Sequence, residues 1–154
     1  MSTPGGQEPS DPGTALVARL ISALGEVTTL VEESDGALTV TVDGLVASLR
    51  VVTIAEGLEM VSLTQPLAWD LPLTNKTRQR VAEQAGRTML GTVALVEKAV
   101  DGPPARANGS SAKKVADVML RYNFPAAGLT EDALRTLILL VLTTGADVRH
   151  ALVS

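Results

Sequence analysis

The chain contains no cysteine, which excludes a disulfide framework, a thiolate nucleophile and any cysteine-based metal centre. A single histidine, His150, is too little for a His-rich zinc site. Aromatic residues are nearly absent, with one Trp, one Tyr and one Phe among 154 residues. The core must then be built from Val, Leu, Ile and Ala, and stacking platforms for single-stranded nucleic acid are missing. Basic charge is not in excess either: 13 Lys and Arg against 17 Asp and Glu leave a net charge of −4. That lacks the footprint phosphate neutralisation requires, so nucleic acid is not an expected partner. The longest strongly apolar block, "LILLVL" at 137–142, falls short of the roughly 20 residues of a membrane span, and no membrane partner is expected.

Catalytic signatures are missing as well. No glycine-rich run leads into a helix with Lys and Ser or Thr behind it, and there is no Gly-x-Ser-x-Gly elbow. His150, beside Asp147 and Arg149, sits close to the C-terminus and reads as a solvated helix end near a negative dipole pole. Glu32 and Glu33 are adjacent in a strand-like run, so they point to opposite faces and cannot share a proton. The expectation is a protein that is not an enzyme, with no catalytic, metal or cofactor-binding residues and no cofactor.

The hydrophobic content of 45% and charged content of 19% are those of a globular chain, and the length suits one domain. "MSTPGGQEPSDPG" has neither a positive nor an apolar secretory region. Residues 1–13 are read as a disordered tail, residues 14–153 as a single domain, and the protein is expected in the cytoplasm. Asp11-Pro12 opens a helix with a stripe of Val17, Leu20, Ile21 and Leu24, ended by Gly25. Alternating Val-, Leu- and Thr-rich runs follow, separated by Asp35-Gly36, Asp43-Gly44 and Glu56-Gly57, which predicts an antiparallel meander. Pro66 and Pro72 flank Trp69 in "QPLAWDLPL", which reads as an extended crossing segment rather than an interior strand.

A second helix is capped by Thr74 or Asn75 and carries a thin stripe of Val81, Ala82, Ala85 and Met89. Two strands come next, joined by a Pro-, Gly- and Ser-rich loop at 101–113. The last helix, capped by Thr130, has a stripe of Leu134, Leu137, Ile138, Val141, Leu142, Val148 and Leu152, with Leu139 and Leu140 off it. Tyr122 and Phe124 share a parity on the preceding strand and are expected to face the helices. The whole predicts an α+β fold, a mostly antiparallel sheet packed with helices in the order helix, strand meander, helix, two strands, helix.

The C-terminal run "DVMLRYNFPAAGLTEDALRTLILLVLTTGADVRHAL" carries a strand ending in Arg121-Tyr122-x-Phe124-Pro125, the turn Gly128-Leu129-Thr130 and a Leu-rich helix ending near Ala146-Asp147. It resembles the YbjN-like branch of the type III secretion chaperone-like fold, over roughly residues 14–153. The resemblance implies a non-enzymatic, often dimeric module that holds extended peptides. The function expected is thus a peptide- or protein-binding, chaperone-like adaptor or regulator of the bacterial cytoplasm, with a homodimer among its partners. Trp69, Leu139 and Leu140 are the candidate apolar contacts, and Arg80 and Arg87 the candidates for orienting an acidic partner. The alternative is a small-ligand or signalling domain with a pocket between the sheet and the C-terminal helix.

Overall fold

The computed structural model describes residues 11–99 and 114–153. The expected tail and the expected loop at 101–113 therefore lie almost wholly outside the described residues. Helix α1 (Pro12–Leu24) is followed by strands β1 (Thr29–Glu32), β2 (Leu38–Val42), β3 (Leu45–Ala55) and β4 (Leu58–Pro72), helix α2 (Asn75–Arg87), strands β5 (Thr92–Ala99) and β6 (Lys114–Pro125), and helix α3 (Glu131–Val153). The strands form one six-stranded sheet in the order β1-β2-β3-β4-β6-β5, antiparallel at every neighbour. This is the α+β architecture the residue pattern predicts.

The meander forms because its turns demand what Asp-Gly supplies. Val42 pairs with Leu45 across Asp43-Gly44, whose φ values are both positive, 49° and 77°. That is the twist-matched two-residue hairpin turn. Period-two alternation then sorts the strands: Leu38, Val40, Ala47, Leu49, Val61, Leu63, Val118, Leu120 and Phe124 all turn to one face and are buried. Each fully buried leucine contributes about 1.5–3 kcal/mol relative to exposure. Tyr122 and Phe124 stand on the same face with their rings stacked at 5.3 Å.

All three helices cover that face. α3 lays Leu134, Ile138, Val141, Leu142, Val148 and Leu152 on the sheet. Its 23 residues are apolar and long enough to cross a bilayer by length and composition, and in this fold its buried stripe packs on the sheet. α1 packs beside it, where Arg135 Nε donates to the Ala23 carbonyl at 2.7 Å and Arg19 donates to the carbonyls of Ala127 and Leu129. α2 buries only Val81 and reaches β5 through an Arg78–Glu97 ion pair of 2.8 Å. The opposite face, with Thr39, Ser48, Arg50, Thr64 and Arg121, is left uncovered by any described element.

Several expectations are corrected. The segment around Trp69 is part of β4, one continuous 15-residue strand in the middle of the sheet. Its prolines are tolerated because β3 pairs with β4 only as far as Ser48↔Thr64, so from Gln65 onward β4 has β6 alone as a neighbour. The buried stripe of α1 is Leu16, Leu20, Ala23 and Leu24 rather than one running through Val17 and Ile21. Asp11 occupies the α1 cap position without a side-chain hydrogen bond, and Pro12 and Gly13 already belong to the helix. By contrast Thr74 and Thr130 cap as expected, accepting the Thr77 and Ala133 amide protons at 3.1 Å each. Met89 lies beyond the end of α2 and is 94% exposed.

Candidate functional site

The unpaired length of β4 shapes the surface. Between Pro66↔Met119 and Ala68↔Val118 one extra residue, Leu67, enters β4; between Ala68↔Val118 and Leu71↔Ala116 two residues, Trp69 and Asp70, stand opposite Asp117. Each is a bulge, and bulges bend a strand and redirect its side chains. The second one places Trp69 on the helix-free side of the sheet with 60% of its surface exposed. Asp70 sits at φ 56°, a left-handed conformation that Asp tolerates better than most residues.

β3 and β4 diverge here, and an open cleft of about 510 Å³ lies between them. One wall is Gly44, Leu45 and Val46 at the start of β3, the other is Pro66 to Trp69 and Leu71, and Arg149 and Val153 of α3 close the far side. Gln65 lies at the base. Among the described residues it is the one buried side-chain amide, with Nε2 donating to the Leu142 carbonyl at 3.3 Å and Oε1 lacking a partner. Gly145 makes room for it, since a Cβ there would stand 2.1 Å from Gln65 Oε1.

Charge gathers beside Trp69. Lys98 Nζ lies 2.6 Å from Asp70 Oδ1 and 2.9 Å from Asp117 Oδ1, and 5.7 Å from the centroid of the Trp69 ring. Asp117 Oδ1 also accepts the Asp70 amide proton at 3.0 Å. The Lys98 hydrogen bond first, and the Asp70 amide second, hold the Asp117 carboxyl below its usual range. The Asp70 and Asp117 carboxylates hold the Lys98 ammonium above its own.

A second cleft, of about 550 Å³, runs between the end of α2 and α3 and is lined by Arg87, Met89, Leu90, Thr144, Asp147 and Val148 among others. Leu140, 51% exposed, stands one turn before Thr144 on the same flank of α3.

The expected contact residues therefore do not converge. Trp69 lines the first cleft and Arg87 the second, with Leu140 beside the latter. Arg80 is exposed on α2 and lines neither cleft, standing one turn before Gln84, which lines the second. Leu139 is half-buried against the core, on the flank of α3 where Arg135, one turn earlier, reaches Ala23 of α1. The expectation that it points outward is thus corrected: α1 occupies that side. Sequence reasoning missed Gln65, Lys98, Asp117 and Arg149. Gln65 did leave a trace, as a polar residue at a helix-facing position of an alternating run. Among the described residues no cluster of His, Cys, Asp or Glu could hold a metal ion.

Fold and surface together define an antiparallel α+β domain with all helices on one face and open clefts along its flanks. The chain matches no protein-family model and no curated protein sequence.

Proposed function

We propose that this protein is a non-enzymatic, chaperone-like module that binds an extended peptide or protein segment in the cytoplasm of a bacterium. The observation that carries the reading is the free flank of β4 beyond Thr64, lying along an open apolar cleft next to an exposed Trp. An extended chain placed there gains main-chain hydrogen bonds from the edge residues other than Pro66 and Pro72, which have no amide proton, and apolar contact from alternate side chains. Trp69 is the residue type that most often anchors such contacts. The YbjN-like resemblance points in the same direction.

A small-ligand site is the second reading, favoured by the volume of the cleft and by Gln65 and Arg149 at its base and far side. The openness of the cleft and the dense aliphatic packing between sheet and α3 weigh against it. The experiment is a binding screen of degenerate extended peptides carrying a fluorescein label, followed through the anisotropy of the label, which reads the wild type and the Trp-free Trp69→Ala protein alike. The proposal expects peptide binding that weakens about 30-fold in Trp69→Ala, corresponding to the roughly 2 kcal/mol of an interface hot spot. Peptides that bind both proteins equally, or saturable binding of small apolar molecules with none of peptides, would overturn it.

A further inference from the structure

We infer that Lys98, Asp70 and Asp117 form a latch that sets the orientation of Trp69 at the lip of the β4 cleft. The second bulge in β4 is the source of the requirement. Two residues stand opposite one, so the ladder is broken and the Asp70 amide loses its regular cross-strand acceptor. The Asp117 carboxylate takes that proton at 3.0 Å, which fixes the backbone directly after Trp69. Asp117 sits on the helix-free face because its neighbours Ala116 and Val118 are buried on the other.

Lys98 arrives from β5, one strand further out. Its partner across the ladder is Val115, so its side chain must reach diagonally over β6 to meet Asp117 and Asp70 together. In that position the ammonium lies over the Trp69 ring, within the range of a cation–π contact. The indole is thus held on one face by a cation that is itself held by two carboxylates, and the rest of its surface stays open. The bulge and the amide hydrogen bond bring Asp70 and Asp117 together, and Lys98 neutralises their two carboxylates. Without it, two like charges face each other at the bulge, and the geometry around Trp69 loses both its cation and its electrostatic balance. Lys98, Asp70 and Asp117 are positioning residues, acting through Trp69. The consequence for binding rests on the reading of the cleft given above: an occupant meets the indole at the surface Lys98 leaves free.

Trp69 is the only Trp in the chain, so its own fluorescence reads the latch without any peptide. The measurements are emission maximum, anisotropy and acrylamide quenching, with circular dichroism and thermal melts confirming the fold. Lys98→Met is expected to red-shift the emission, lower the anisotropy and raise the quenching. Lys98→Arg, which keeps a cation able to stack on the ring, is expected to restore the wild-type values. Asp117→Asn, whose amide oxygen still accepts the Asp70 proton, is expected to change them least. Should Lys98→Met fail to fold, the pair Lys98→Met, Asp70→Gly removes one of the two opposed carboxylates while suiting the positive φ, and carries the same expectation. On the wild-type protein, raising the salt from low to 1 M is expected to shift the signal in the same direction, because the pairs are partly exposed. Folded Lys98→Met with wild-type Trp69 signals, failure of Lys98→Arg to restore a changed signal, or a wild-type signal unmoved by salt would each overturn the latch. Since no peptide enters the experiment, failure of the latch and failure of the peptide reading are seen separately.

Discussion

Gly145→Ala should destabilise the protein when Gln65 is present and stabilise it when Gln65 is replaced by Ala. In the native chain a Cβ at position 145 would lie 2.1 Å from Gln65 Oε1, 2.5 Å from Cδ and 2.8 Å from Nε2. Gln65 is 1% exposed, so its amide has little room to retreat, and moving it breaks the bond to the Leu142 carbonyl. Overpacking costs about 1–3 kcal/mol, and leaving a buried amide unpaired costs a further 1–3 kcal/mol or so. Against this stands about 1 kcal/mol gained by Ala over Gly inside a helix. The net loss is about 1–5 kcal/mol. With Gln65→Ala in place the clash is gone and the helix preference remains, so the second substitution should add up to about 1 kcal/mol of stability. Urea denaturation of the four proteins of this cycle gives both signs. If Gly145→Ala is stabilising in both backgrounds, Gln65 does not fill the space beside Gly145 and the account of the cleft base is wrong.

Phe124→Ala, which removes a 3% exposed ring stacked on Tyr122, should cost about 3–5 kcal/mol in the same denaturation assay; a thermally silent change would mean that β6 is misregistered. Leu139→Asp should unfold or strongly destabilise the domain, since that side chain is packed against the core, whereas Leu140→Asp should melt like wild type and weaken any self-association seen by sedimentation across a concentration series. Asp117 and Asp35 are both held below the ordinary carboxyl value of 3.8, by Lys98 and the Asp70 amide and by the Ala37 amide and Arg50 respectively. A carboxyl depressed in the folded state contributes stability above its unfolded pKa and loses it as pH falls through the folded one. Melting temperature should therefore fall once the pH drops below about 4, and less steeply in Asp117→Asn; equal slopes in the two proteins would remove Asp117 from the acid response.

The hairpins and the core face of α3 were legible because local chemistry alone decides them. Asp43-Gly44 demands a two-residue turn whatever surrounds it, and the spacing of Leu134, Ile138 and Val141 has one amphipathic solution. The stripe of α1 departs from the pattern of its large side chains because the face that meets α3 needs a small residue, Ala23, where Arg135 approaches the backbone. Pro66 argued for a break in the strand because a sequence does not reveal that β3 stops pairing at Ser48 and leaves β4 with one neighbour. Leu139 escapes the pattern for a similar reason: periodicity gives one buried face per helix, and α3 has two, one for the sheet and one for α1. The Lys98–Asp117 cluster had no local signal, since it depends on the β5–β6 register across a long connection.

The strand that spans both halves of the sheet also orders the events of folding. β1 to β4 are joined by short turns and can pair as soon as they are made, but β4 finds its other neighbour only when β6 has been synthesised, with partners as distant in the chain as Met60 and Pro125. During translation, therefore, the meander waits with one long unpaired edge and with Val61 and Leu63 not yet covered by α3, the state in which a nascent chain is most open to wrong pairing. Protease protection of ribosome-bound chains of increasing length should appear abruptly once β6 and α3 have left the exit tunnel. Full protection of β4 in chains that still lack β6 would contradict this order.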